Sequence, residues 1–126
     1  MSGLKYLLDS TIVIDHFNGV PQSDRYILGI NPKETALSVV TVAEVLAGFA
    51  QDDWYPVELF FQQYRMLDIN YPVSLTAAKL RQIYRFKLPD SFQAALAINH
   101  GIKLVTRNSK DFNPKKHPFV SIPYEL

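Results

Sequence analysis

The sequence predicts an α/β fold built on a mostly parallel central sheet. Short apolar runs alternate with stretches of helical period along the chain, the pattern of successive β-α units. No repeat, low-complexity tract or linker interrupts that alternation over 126 residues, so a single domain spanning 1–126 is expected. Hydrophobic residues at 48% and charged residues at 20% match an ordinary globular protein and exclude a disordered or fibrous chain.

Each element follows from its own residues. Tyr6-Leu7-Leu8 reads as a short buried strand, followed by a helix over 10–17 that Asn18-Gly19-Val20-Pro21 breaks. A second helix is expected over 24–28, a strand over 35–40 and a helix over 41–50. Gln51-Asp52-Asp53 caps a third pattern running to Met66, with Pro56 tolerable in its first turn. There Val57, Phe60, Phe61, Tyr64 and Leu67 form one apolar stripe with a period near 3.6, which reads as core or helix-pair packing. Leu67-Asp68-Ile69 is expected as a strand and 74–86 as a helix. Pro89-Asp90 opens a very apolar helix that stops at His100-Gly101, glycine being the usual residue at that position. Strands over 103–106 and 119–122 complete the set.

Composition removes several classes of function. Without cysteine there is no zinc ribbon, disulfide scaffold or thiol nucleophile, and the lack suits a reducing cytoplasm. No apolar run approaches the ~20 residues of a membrane span, and the N-terminus lacks a signal peptide's apolar stretch and cleavage site. A cytoplasmic protein is expected. His16, His100 and His117 show no paired ligand spacing, and His100 is explained as a cation at a helix C-terminus. No dinucleotide-binding glycine loop or Walker lysine loop exists. The formal charge of +1 hides an asymmetry: residues 1–78 carry a net −5, residues 79–116 a net +7. An excess of that size fits either a solvated face or a surface that meets polyanions.

In an open parallel sheet, ligands bind beyond the carboxyl ends of the strands. Asp9 directly follows the first strand, and Asp90 begins the helix before the fourth. Asn108 and Asp111 follow the fourth strand. Glu44 lies one turn into the helix after the second strand, among Ala43, Val45 and Leu46, with no basic residue one turn away and no evident solvent face. Asp9 and Asp90 could each be a helix N-cap, contributing about 1 kcal/mol, and Asp111 could end a turn. Parallel strands would instead bring these acids to one edge, where they could not all stay ionised without a cation. Oxygen donors without sulfur favour magnesium or manganese over zinc.

Four stretches in order resemble the PIN-domain ribonucleases, and among them the VapC-type toxins of toxin–antitoxin pairs. They are Tyr6-Leu7-Leu8-Asp9-Ser10-Thr11-Ile12-Val13-Ile14, Ser38-Val39-Val40-Thr41-Val42-Ala43-Glu44-Val45-Leu46-Ala47-Gly48, Lys87-Leu88-Pro89-Asp90-Ser91-Phe92-Gln93-Ala94-Ala95-Leu96-Ala97, and Leu104-Val105-Thr106-Arg107-Asn108-Ser109-Lys110-Asp111-Phe112. The resemblance implies a three-layer α/β/α sandwich and an Mg2+- or Mn2+-dependent endoribonuclease that cleaves single-stranded or loop RNA through a metal-activated water. It also implies a homodimer and a small antitoxin partner. Asp9, Glu44, Asp90 and Asp111 would be catalytic, with Asp9 and Asp90 holding the metal. Ser10, Thr106 and Asn108 would support them, and Lys87 and Arg107 would meet RNA phosphates. The chain departs from many members at Asn108, where they carry aspartate. The fourth acid is therefore either replaced by an amide or supplied by Asp111, and Asp111 is preferred because it adds charge. Two other readings stay open: a receiver-like phospho-accepting domain, and a catalytically silent PIN-like module that only binds RNA.

Overall fold

The computed structural model describes residues 3–126. Its five strands are β1 (Tyr6–Leu8), β2 (Thr35–Ser38), β3 (Arg65–Leu67), β4 (Lys103–Val105) and β5 (Val120–Ser121). All neighbours pair in parallel, in the order β3-β2-β1-β4-β5. Six α-helices surround them: α1 (Ser10–Phe17), α2 (Pro21–Gly29), α3 (Val39–Leu46), α4 (Trp54–Phe61), α5 (Tyr71–Tyr84) and α6 (Leu88–His100). The expected three-layer α/β/α sandwich is the observed fold.

Alternation along the strands makes the layers. Successive strand side chains point to opposite faces, so Leu7, Ala36 and Leu104 pack with Val73, Ala77 and Leu80 of α5 and Ala94 and Ala97 of α6. Leu8, Leu37 and Val105 face the other way, onto Ile12 and Val13 of α1, Val45 of α3 and Val57 and Phe60 of α4. The small alanines of α6 are fully buried, which lets that helix lie close to the sheet and to α5. The stripe Phe60, Phe61 and Tyr64 is core, as its spacing predicts. Among the described residues no helix is long and apolar enough to cross a membrane.

Several boundaries move, each for a local reason. The strand expected over 35–40 ends at Ser38, because the Ser38 hydroxyl accepts from the Thr41 amide and starts α3 two residues early. The strand expected over 67–69 is instead Arg65–Leu67, and the helix before it stops at Phe61 rather than Met66. Pairing sets that register: Ala36 faces Arg65 and Ser38 faces Leu67 on a sheet edge where Arg65 and Met66 are exposed. The helix expected from residue 74 begins at Tyr71, capped by the Asn70 side chain accepting from the Val73 amide. Gly101 ends α6 in the left-handed region, φ 65°, as expected.

The chain leaves β1 for β2 and β3 on one side, then crosses to β4 and β5 on the other. The strand order reverses at β1 and β4, and the crevice beyond their carboxyl ends is where such sheets take ligands. Asp9 and Thr106 lie directly there.

Candidate active site

Asp9 stands at the N-cap of α1 yet its side chain makes no capping bond. The residue is 3% exposed, and its carboxylate is turned across the sheet edge. Oδ2 accepts from the Thr106 hydroxyl at 2.8 Å and the Thr11 hydroxyl at 3.1 Å, and Oδ1 accepts from the Gln93 amide at 3.2 Å. Capping does not explain this residue. The Gln93 amide nitrogen also donates to the Thr41 hydroxyl at 2.7 Å, and its oxygen accepts from Ser38 at 2.6 Å. Gln93, Ser38 and Thr41 are all fully buried. An amide buried without partners costs several kcal/mol, and here every polar atom of it is engaged. The ends of β1, β2 and β4 and one face of α6 are thereby locked around a single carboxylate.

Glu44 differs from its expectation. Its position on α3 leaves the side chain exposed, beside a cleft of about 240 Å³ that Ile14, Phe17 and Phe49 also line. Protein around the carboxyl still desolvates it and raises its pKa; a hydrogen bond from Ser10 opposes that, and the charge of Asp9 adds to it. Asp90, half-buried in the first turn of α6, has its pKa pushed up to about 6. Burial is the main cause, followed by repulsion from Asp9, Asp111 and Glu44; Lys87 offsets part of it. Three other carboxylates thus act on Asp90 at once, each from a different part of the chain.

Asn108 and Asp111 lie together and bond to each other. The Asn108 amide donates to Asp111 Oδ2 at 2.9 Å, and the Asp111 backbone amide returns a bond to Asn108 Oδ1 at 3.3 Å. Phe112, fully buried, pins the turn that brings Asp111 back. Lys87 is exposed at the start of α6, where it faces Asp90. Arg107 was expected to face phosphate, and its guanidinium is engaged elsewhere. It forks onto buried Asp15 of α1 at 2.5 and 2.9 Å, and the Tyr124 hydroxyl donates to the same carboxylate at 2.9 Å.

The donor set suits a hard divalent cation: the gathered carboxylates offer oxygen only, and Lys87 offsets only part of their mutual repulsion. Among the described residues no three Asp, Glu or His side chains form one direct ligand cage. A cation here would be held by one or two carboxylates and its own water, the habit of magnesium.

The PIN-domain family model matches residues 6–116. The chain belongs to the PIN-domain family. The same fold occurs in a toxin–antitoxin complex from Klebsiella pneumoniae, 30% identical over 97% of this chain and 100% of that one, with a TM-score of 0.86. DNA-bound VapBC from Salmonella typhimurium superposes with a TM-score of 0.76 at 21% identity, covering 97% of this chain and 98% of that one. FitAcB from Neisseria gonorrhoeae gives 0.77 at 21% identity, covering 96% and 99%. No curated protein matches the sequence. The receiver-like alternative falls with the family assignment.

Sequence reading missed four polar residues of this PIN domain: Gln93, Ser38, Thr41 and Asp15. A polar residue between Phe92 and the apolar run Ala94-Ala95-Leu96-Ala97 was the available signal for Gln93. Titration of Asp90 has a stability consequence. Its folded pKa lies above the unfolded value of 3.8, so the stability it contributes is fully present below pH 3.8 and is lost as pH rises through 6. In metal-free buffer at pH 7.5, Asp90→Asn should therefore raise stability. The gain is about 1 kcal/mol after allowance for solvent screening, or about 4 °C in Tm. At pH 3.5 the two proteins should melt together, and a thermal melt at both pH values checks it.

Proposed function

We propose that this PIN domain is an Mg2+- or Mn2+-dependent endoribonuclease, hydrolysing single-stranded or loop RNA, and the toxin of a toxin–antitoxin pair. The observation that carries the reading is Asp90 feeling Asp9, Glu44 and Asp111 together beyond the carboxyl ends of a parallel sheet. Family membership supports nuclease chemistry, and toxin–antitoxin complexes among its structural relatives support a small antitoxin partner. Exposed Tyr55 and Leu59, one turn apart on α4, are surface that a second copy could cover in the homodimer. The site of action is the cytoplasm.

Asp9 and Asp90 would hold the cation, which when bound supplies Lewis acidity toward phosphate and water. Hydrolysis joins the water oxygen to phosphorus and breaks one P–O ester bond: the attacking water gives up a proton, and the departing ester oxygen takes one up from solvent. Glu44, whose raised pKa and solvent access support the role, would take that proton. Ser10 would orient Glu44, while Thr106, Thr11 and Gln93 hold the Asp9 carboxylate at the strand end. Asn108 holds Asp111, which adds negative charge to the site.

Purified protein should cut an unstructured RNA with magnesium or manganese present and leave it intact in EDTA. Equal cleavage in EDTA would refute the metal requirement. Asp111→Ala should raise the metal concentration needed for half-maximal cleavage about tenfold, with Asn108→Ala giving a smaller shift in the same direction because it only frees Asp111. A larger shift in Asn108→Ala would make the amide, not the acid, the fourth ligand.

A further inference from the structure

A second cleft, of about 360 Å³, opens from Asp90 and Asp111 and runs past the α5–α6 turn. Arg85, Lys87, Lys110 and Lys116 line it, and among the described residues no salt bridge engages any of them. Lys87 acts on Asp90, and three further cations around one cavity are more than a solvated face requires. Arg85 holds a left-handed backbone, φ 59°, at the end of α5, where glycine is the usual occupant. The Arg81 guanidinium donates to Phe86 O at 2.7 Å and fixes the same turn.

Tyr84 forms one wall. Its ring stacks on Phe86 at 5.4 Å and 27°, Phe86 packs on fully buried Phe112 at 5.1 Å, and His117 meets Tyr84 edge-on at 4.8 Å. The ring is rigidly backed, yet 48% of the residue stays exposed. A braced aromatic surface among free cations matches a nucleotide, whose base stacks and whose phosphate is anionic. An acidic peptide would use the cations and leave the ring idle. Sites for small ligands span roughly 300–1,000 Å³, so this cavity has room for one nucleotide and not for a duplex.

We propose that this cleft binds a nucleotide of single-stranded RNA beside the scissile phosphate, with the base on Tyr84 and flanking phosphates on Arg85, Lys110 and Lys116. The proposal rests on the nuclease reading for the chemistry at Asp90 but predicts binding by itself. A base can lie on Tyr84 only if it is unstacked, which selects single strands and loops over helices.

The test measures binding of a fluorescent, unstructured RNA oligonucleotide in EDTA across a salt series, with cleavage in magnesium measured in parallel. Lys110→Ala/Lys116→Ala removes two exposed side chains and should lower the slope of log affinity against log salt by about 1.4. Tyr84→Leu should weaken binding about 5- to 150-fold with the slope unchanged, and Tyr84→Phe should restore it. Wild-type affinity and slope in both the lysine and leucine variants, with cleavage intact, would overturn the cleft and leave the nuclease standing. Binding that depends on Tyr84 and the lysines without any cleavage would uphold the cleft and remove the nuclease. A wild-type protein that neither binds nor cuts RNA removes both.

Discussion

Asp9→Asn should eliminate RNA cleavage, by roughly a hundredfold to ten-thousandfold, while the protein stays folded. The substitution keeps the shape but takes away the charge that would hold a cation at the crevice under the proposed mechanism, and such electrostatic contributions are worth several kcal/mol at the transition state. The fold should survive because the neighbours can adapt. The asparagine oxygen can still accept from Gln93, and the hydroxyls of Thr106 and Thr11, 3.3 Å apart, can turn to accept from the new amide. The cost is that of a rearranged hydrogen-bond network, about 1 kcal/mol. Cleavage kinetics and a thermal melt on one preparation check both halves. Near-normal cleavage would remove Asp9 from the site, whereas unfolding would show that the network cannot adapt.

Arg107→Ala should lower the melting temperature by about 10 °C, the largest stability effect expected of a single substitution near the site. Asp15 is 4% exposed and depends on a forked guanidinium and one phenol for its solvation. Removing the guanidinium leaves a buried carboxylate with Tyr124 alone, a loss of about 2–3 kcal/mol once the partial exposure of Arg107 is allowed for. Lysine at this position would restore the charge but not the fork. Combining Arg107→Ala with Asp15→Asn should recover part of the loss, because the orphaned charge is gone. A fall of less than 2 °C in the single variant would show that the pair is solvated rather than structural.

These two residues also mark how far the sequence could be read. Asp9 and Asp90 were legible because each sits where a short apolar run or a capped apolar helix fixes its place relative to a strand end. Glu44 was legible as a position on α3 but not in its exposure, since the local apolar neighbours suggested an inward side chain. Arg107 was placed correctly after β4, yet its partner Asp15 lies 92 positions away and neither residue type predicts the other. Gln93 reads as an ordinary helix residue until three strand ends close around it. The strand Arg65–Leu67 escaped for a similar reason: its register comes from hydrogen bonds to β2, and its own side chains are largely exposed. Local pattern gives elements, while the polar contacts that join distant elements appear only after folding.

The bond between Asp9 and Thr106 spans 97 positions, and β1 has β4 as one of its two neighbours. A growing chain displays Asp9 and Glu44 early, but nothing yet gives them a shape, because the middle of the sheet waits for β4. Pairings across such long separations form late and together. For the nuclease proposed above, this timing matters during translation, when the unfinished polypeptide hangs beside messenger and ribosomal RNA. On that reading the topology would withhold activity from shorter intermediates, so a prematurely terminated product that ends before β4 should be harmless to the cell that made it.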